Sequence, residues 1–162
     1  MLQGARLPRI QIAMFLQTVD LFTYCSAEQL MRIAAIARQS RYEPDQAIYR
    51  ANDPAEALYC IFEGQVRLLG GEAPERILQE RQTLGVRDIL SDRLRGEDAV
   101  AKCGVTVLVI DADDFFDLLS NNIEIVKALF RWLLQPKADE RAGSRTQVEH
   151  ATAASPDPTL SA

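Results

Sequence analysis

Histidines, cysteines and catalytic signatures are where chemistry would show first, and here they are few and scattered. The one histidine, His150, stands near the C-terminus, so no cluster of imidazoles is at hand to hold a catalytic metal. Cys25, Cys60 and Cys103 lie far apart without C-x-x-C spacing. An odd set of cysteines so placed fits buried free thiols in a reducing, cytoplasmic compartment better than a disulfide framework. There is no G-x-S-x-G elbow, Walker A loop or dinucleotide fingerprint, so the reading is a non-enzyme with no cofactor. The net charge of −5 provides no bulk attraction for nucleic acid.

The elements that would position any site follow from periodicity and punctuation. A chain of 162 residues, 48% hydrophobic and 25% charged, suits one soluble domain with short appendages. The apolar run after Arg6 and Arg9 is broken by Gln11, Gln17 and Asp20, and no stretch approaches the roughly 20 apolar residues of a membrane span. Pro8 opens a first helix through Ile10, Ile12, Ala13, Phe15 and Leu16, followed by a connecting turn at Val19, Leu21 and Phe22. Ser26 and Gln29 form a capping box ahead of Leu30, Ile33, Ala34 and Ala37 at helical spacing. From 41 to 110 the pattern turns to short strands, clearest over 42–49, 58–62, 65–69, 76–79 and 105–110, with a turn at Gly70-Gly71 restrained by Pro74. Asp111 is positioned to cap a helix over 112–119, and Asn121 with Glu124 reads as a second box opening 122–134. After Pro136 the chain is rich in Ala, Ser, Thr and Pro, too poor in large apolar residues to offset the entropy of folding.

Residues 42–66 bring these parts into a distinctive order: a strand at Ala47, Ile48 and Tyr49, a turn at Asn52-Asp53, a strand at Leu58 to Ile61, and Gly64 before Val66. This order resembles the first half of a cyclic nucleotide-binding domain, the β-roll of the catabolite activator family, protein kinase A regulatory subunits and gated ion channels. The resemblance implies an α+β, mainly β fold, a jelly roll (double-stranded β-helix) flanked by N-terminal and C-terminal helices. The expected organisation is an extension over 1–7, a cyclic-nucleotide-binding-like domain over 8–135 that stands alone, and a disordered tail over 136–162. Many relatives have Gly-Asp where Asn52-Asp53 stand, and asparagine tolerates the left-handed backbone that position needs. Transcription-factor relatives follow their last helix with a helix-turn-helix, whereas this chain offers polar residues and prolines, so DNA binding is not expected.

The same resemblance locates a ligand cassette. Family members that bind ligand read roughly F-G-E-(L/I)-(A/S)-L and, about ten residues on, R-(S/T)-A: the glycine and helical amides cradle the cyclic phosphate, the glutamate accepts the ribose hydroxyl, and the arginine pairs with the phosphate. The matching segment is Leu84, Gly85, Val86, Arg87, Asp88, Ile89 and Leu90, then Arg95, Gly96, Glu97, Asp98, Ala99, Val100 and Ala101, with VTVLVIDADDFFDLL fixing the register downstream. Gly85 keeps its place and Arg95 falls at the phosphate arginine, which makes Gly85, Val86, Arg87, Asp88, Arg95 and Gly96 the candidate cassette. Val86 replaces the glutamate, and a ribose hydroxyl facing it without another partner would cost about 1.5–3 kcal/mol. Glu97 and Asp98 add charges that repel a phosphate. Together these substitutions imply cyclic AMP or cyclic GMP affinity weakened by about 100-fold or more. Val86→Glu with Glu97→Ser is then expected to raise affinity. Taken alone, Arg95 reads as a solvated arginine among Arg87, Asp92, Arg93 and Glu97, Gly85 and Gly64 as turn glycines, and Tyr59 and Phe62 as core residues of the roll.

The last helix carries apolar residues from Ile123 to Leu134 over an arc of roughly 200°, about twice the stripe that covers one core. The surplus flank reads either as a homodimer contact built on Phe130, Trp132 and Leu133 or as a face covered by the first helix with Ile12 and Phe15. The functional reading is a regulatory or protein-interaction module with weak or absent cyclic-nucleotide binding. The alternatives are a true cyclic-nucleotide sensor with a remodelled cassette, and a regulatory subunit of a membrane transporter or other effector.

Overall fold

The computed structural model describes residues 5–136. In chain order the elements are α1 (Arg9–Leu16), a 3-10 turn (Asp20–Phe22), α2 (Ala27–Ile36), β1 (Ala37–Tyr42), β2 (Ala47–Tyr49), β3 (Ala57–Glu63), β4 (Val66–Leu69), β5 (Arg76–Leu78), β6 (Thr83–Leu84), α3 (Val86–Leu90), β7 (Asp98–Ala101), β8 (Val105–Asp111), α4 (Ala112–Ser120) and α5 (Ile123–Leu134). The strands form two sheets in the orders β1-β8-β3-β6 and β2-β7-β4-β5, every pair antiparallel. The chain divides into two compact units after Trp132, and the first holds both sheets.

Strand alternation explains how the roll acquires two cores. On β3, Ala57 and Ile61 point into the roll with Ile48, Tyr49, Val66, Leu84 and Ala101, while Leu58 and Cys60 point out toward the helices. On β8, Val105, Val107 and Val109 face the roll and Leu108 and Ile110 face the helices. A strand buried on both faces reads as a continuous apolar run, which is why VTVLVI shows no period-2 alternation. The outer core joins Leu58, Leu108 and Ile110 to Ile12 and Leu16 of α1, Ile33 of α2, Val86 and Ile89 of α3, Phe115 of α4, and Ile125 and Leu129 of α5. Each such aliphatic side chain contributes about 1.5–3 kcal/mol on burial.

Local signals account for most boundaries. The Ser26 hydroxyl accepts from Gln29 N and the Gln29 amide accepts from Ser26 N, so the expected capping box opens α2. Asn52 adopts φ +70°, the left-handed turn anticipated for it. The segment 42–49 is not one strand: Asp45, at φ +67°, breaks it into β1 and β2, and β1 starts at Ala37 directly from the helix. Strand β7 is formed by Asp98–Ala101, the end of the segment matched to the cassette. Asp111 sits at the N-terminus of α4 but its carboxylate takes Arg38 at 3.2 Å instead of a helix amide. The second box is absent, because the Asn121 and Asn122 side-chain amides donate back to Asp117 and Leu118 carbonyls while the Asn122 carbonyl receives Arg32. The expected tail from 137 onward, and residues 1–4 of the expected extension, lie outside the described residues.

Candidate functional site: a buried arginine beneath a glycine-headed helix

The cassette begins where β6 ends. Gly85 takes φ +81° and turns the chain from Leu84 into α3, a single short helix whose Val86 and Ile89 anchor it to the outer core. After α3 the chain passes Asp92, itself at φ +52°, and reaches Arg95. Two backbone hydrogen bonds clamp Arg95 to the turn between β2 and β3: its amide donates to Asp53 O at 2.9 Å and its carbonyl accepts from Asn52 N at 2.7 Å. Asp53 in turn uses Oδ2 to accept from Arg50 N, closing the turn that presents those partners.

The side chain of Arg95 runs inward rather than into solvent. It is 2% exposed, the bulkiest fully buried side chain among the described residues. Nη1 donates to Gly85 O at 3.0 Å, Nη2 donates to Ala57 O, and Asp88 Oδ2 lies 3.6 Å from Nη1. The guanidinium carbon stands 4.3 Å above the Tyr49 ring and 5.9 Å from that of Tyr59, within cation–π range. Burial pushes both phenols upward in pKa, against a lowering pull from Arg95, so both remain neutral and present their rings to the cation. Arg95 Nε is buried without a partner. Gly85 is needed twice over: only glycine adopts its φ without strain, and a Cβ there would collide with the guanidinium and sit 3.2 Å from Ala57 O.

Among the candidate residues, Gly85, Asp88 and Arg95 converge. Arg95 is not the solvated arginine that its charged sequence neighbours suggest, because two carbonyls distant in sequence receive its donors. Val86 packs in the outer core with α1, α2, α4 and α5, so a carboxylate placed there would enter apolar surroundings instead of restoring a ribose acceptor. Arg87 and Gly96 are exposed, with open space around Gly96 where a Cβ would be. Glu97 forks onto Arg76 at 2.7 and 3.0 Å, and Asp98 accepts from Ala51 N at 2.7 Å with Arg50 at 3.5 Å. Both charges thus have partners of their own, which leaves Asp88 as the acidic side chain nearest the guanidinium. Tyr49 and Tyr59 were missed as site residues. The period-2 pattern of β3, which puts Tyr59 on the face of Ala57 and Ile61, is the signal that held one of them.

Comparison with known proteins gives the roll its family. The model of the cyclic nucleotide-binding domain matches residues 39–122, which include both sheets except the first two residues of β1, and the whole cassette. The chain belongs to the cyclic nucleotide-binding domain family. It is similar to the cGMP-dependent protein kinase egl-4 of Caenorhabditis briggsae, 30% identical over 118 residues, covering 68% of this chain and 16% of the kinase. A second relative, the isozyme 2 cGMP-dependent kinase of Drosophila melanogaster (forms cD5/T2), is 26% identical over 119 residues and 13% of its length. The chain therefore spans only a small part of the curated kinases it matches. Among solved structures it is similar to the regulatory domain of Toxoplasma gondii protein kinase A with cAMP (TM-score 0.65, 18% identity, 70% of this chain and 46% of that one). A regulatory subunit of a cAMP-independent protein kinase A from Trypanosoma brucei matches with TM-score 0.67 and 21% identity over 86% of this chain and 51% of that one. The N-terminal domain of a transcriptional regulator from Streptomyces coelicolor matches with TM-score 0.64 and 20% identity over 90% of this chain and 99% of that one.

On the terminal helix, one flank is covered within the chain. Ile125 and Leu129 are buried in the core they share with α1, Ala128 is buried too, and half-buried Trp132 donates its indole N–H to Asp20 at 2.9 Å. That bond turns Trp132 toward its own chain, so the exposed flank rests on Ile123 and Phe130, with Leu133 exposed in the second unit. Among the described residues no group of acidic, histidine or cysteine side chains is arranged to hold a metal, and no helix is long and apolar enough to cross a membrane.

Proposed function

We propose that this chain is a regulatory module of the cyclic nucleotide-binding family that binds cyclic AMP and cyclic GMP weakly or not at all and works through protein contacts. The observation that carries this reading is the commitment of Arg95: its two terminal nitrogens already donate to Gly85 O and Ala57 O, and the side chain is closed off from solvent. A phosphate must compete with those bonds, each worth about 1.5–3 kcal/mol because the donor is charged. When the binding-competent state is a minor one, apparent affinity falls by its fractional population. Val86 deepens the deficit, since it supplies no oxygen to a ribose hydroxyl and its side chain belongs to the outer core. The fold also occurs in the regulatory subunit of a Trypanosoma brucei protein kinase A that is described as a cAMP-independent kinase.

The same reading takes the exposed flank of α5, with Ile123 and Phe130, as the surface on which a second copy docks. Cytoplasmic placement suits three cysteines that are all unpaired. Calorimetric titration of the full chain with cyclic AMP, cyclic GMP and cyclic dinucleotides tests the reading. Dissociation constants weaker than about 10 µM are expected, and sub-micromolar binding of either mononucleotide would establish a true sensor instead.

A further inference from the structure

We propose that Asp88 is a built-in counter-ion that shields Arg95, and that this one carboxylate is the main determinant of the site's affinity for anions. The inference rests on the weak-binding reading above and assigns a cause to it. In relatives that bind ligand, the resemblance puts Ala or Ser at this position; here an aspartate occupies it.

Three observations single out Asp88. The first is geometric: its Oδ2 lies 3.6 Å from Arg95 Nη1, with the arginine side chain 1% exposed and the Asp88 side chain 24% exposed. The carboxylate therefore lies on the solvent side of the cation, where an incoming anion has to arrive. The second is that, among the described residues, the other acidic side chains near the site have partners elsewhere. Glu97 is forked onto Arg76, Asp98 is held by Ala51 N and Arg50, and the neighbouring Tyr49 and Tyr59 contribute neutral rings. The third is the orphaned Nε of Arg95, a buried donor with no acceptor. The guanidinium is thus bonded at its two terminal nitrogens and electrostatically paired, yet not saturated. An unsatisfied buried donor is a poor arrangement for a purely structural arginine.

Displacement requires little of the backbone. Asp88 is held in α3 through its main chain, its carbonyl accepting from Arg93 N at 3.0 Å, so rotation of its side chain into solvent uncovers the cation without unwinding the helix. With the carboxylate in place, a phosphate meets a like charge at close range and must replace one ion pair by another. Without it, the same phosphate gains an ion pair outright.

The test is titration of cyclic AMP and cyclic GMP into the wild type, Asp88→Asn, Asp88→Ala and Glu97→Gln. Asp88→Asn keeps the shape and removes the charge, and is expected to tighten binding by about 10-fold or more, equivalent to about 1.4 kcal/mol. Glu97→Gln is expected to change nothing, and adding Arg95→Lys to Asp88→Asn to cancel the gain. A second readout needs no nucleotide: inorganic phosphate in place of chloride should raise the Tm of Asp88→Asn more than that of the wild type. Weak wild-type binding with no gain in either Asp88 variant and no phosphate-dependent rise in Tm overturns the shielding role while leaving the weak-binding reading intact. Sub-micromolar wild-type binding overturns both. Should Asp88→Asn lose its fold, Asp88→Ala provides the same comparison. Unfolding of both variants would make Asp88 a structural residue and also refute the proposal.

Discussion

Replacing Arg95 by alanine separates a structural arginine from one held in reserve for a ligand. The substitution removes charge-assisted hydrogen bonds to Gly85 O and Ala57 O, each about 1.5–3 kcal/mol, and stacking on Tyr49 of about 1–2 kcal/mol. It also strands two carbonyls and leaves Asp88 without its counter-ion. Against this, the mutant no longer buries a guanidinium whose Nε has no partner, a relief of about 1–3 kcal/mol. The balance is a destabilisation of about 4 kcal/mol, in the range for breaking a buried polar network. At about 3–5 °C per kcal/mol for a unit of this size, Tm should fall by roughly 12–20 °C. Thermal and urea unfolding followed by circular dichroism measure it, with Arg95→Met as a control that keeps side-chain length and should fall between alanine and wild type. A solvated arginine would cost no more than about 0.5 kcal/mol on truncation. A Tm within about 2 °C of wild type would therefore refute the buried-clamp argument.

Gly85→Ala should destabilise by about 2 kcal/mol or more, from left-handed backbone strain and collision with the guanidinium, and denaturant melts should show a smaller loss in an Arg95→Ala background where the collision is gone. Val86→Glu should lower Tm by several degrees and leave nucleotide affinity unimproved, because the carboxylate enters the outer core; a gain in affinity by titration would show that position 86 faces the ligand after all. On α5, Phe130→Ser should leave Tm nearly unchanged and shift a dimer toward monomer by light scattering, whereas Trp132→Ala should destabilise the monomer through loss of its bond to Asp20; a wild type that stays monomeric at about 100 µM removes the second-copy contact.

The fold was largely legible because its determinants are local. The Ser26 box, the left-handed Asn52, Gly64 at φ +98° and the apolar run of β8 each act within a few residues of themselves. The site was legible only in outline. Gly85 and Arg95 could be placed by register from the exit strand, but the state of Arg95 is decided by Ala57 O, 38 residues away, and by a tyrosine on β2. The partners of Glu97 and Asp98 were hidden for the same reason: Arg76 and Ala51 lie 21 and 47 residues off. Trp132 shows the limit most plainly, since the helical wheel gives its angle but not the Asp20 carboxylate, 112 residues upstream, that turns it inward.

Arg95 is bound within its own chain, and arginine side-chain NMR on the full protein reads that directly. Nitrogen-edited spectra recorded with and without cyclic AMP, and assigned by loss of a signal in Arg95→Lys, report the exchange and environment of its Nε–H. One Nε–H signal protected from solvent exchange and unmoved by nucleotide at about 10 µM is expected. A rapidly exchanging Arg95 signal, or one that shifts saturably with micromolar cyclic AMP, would contradict it.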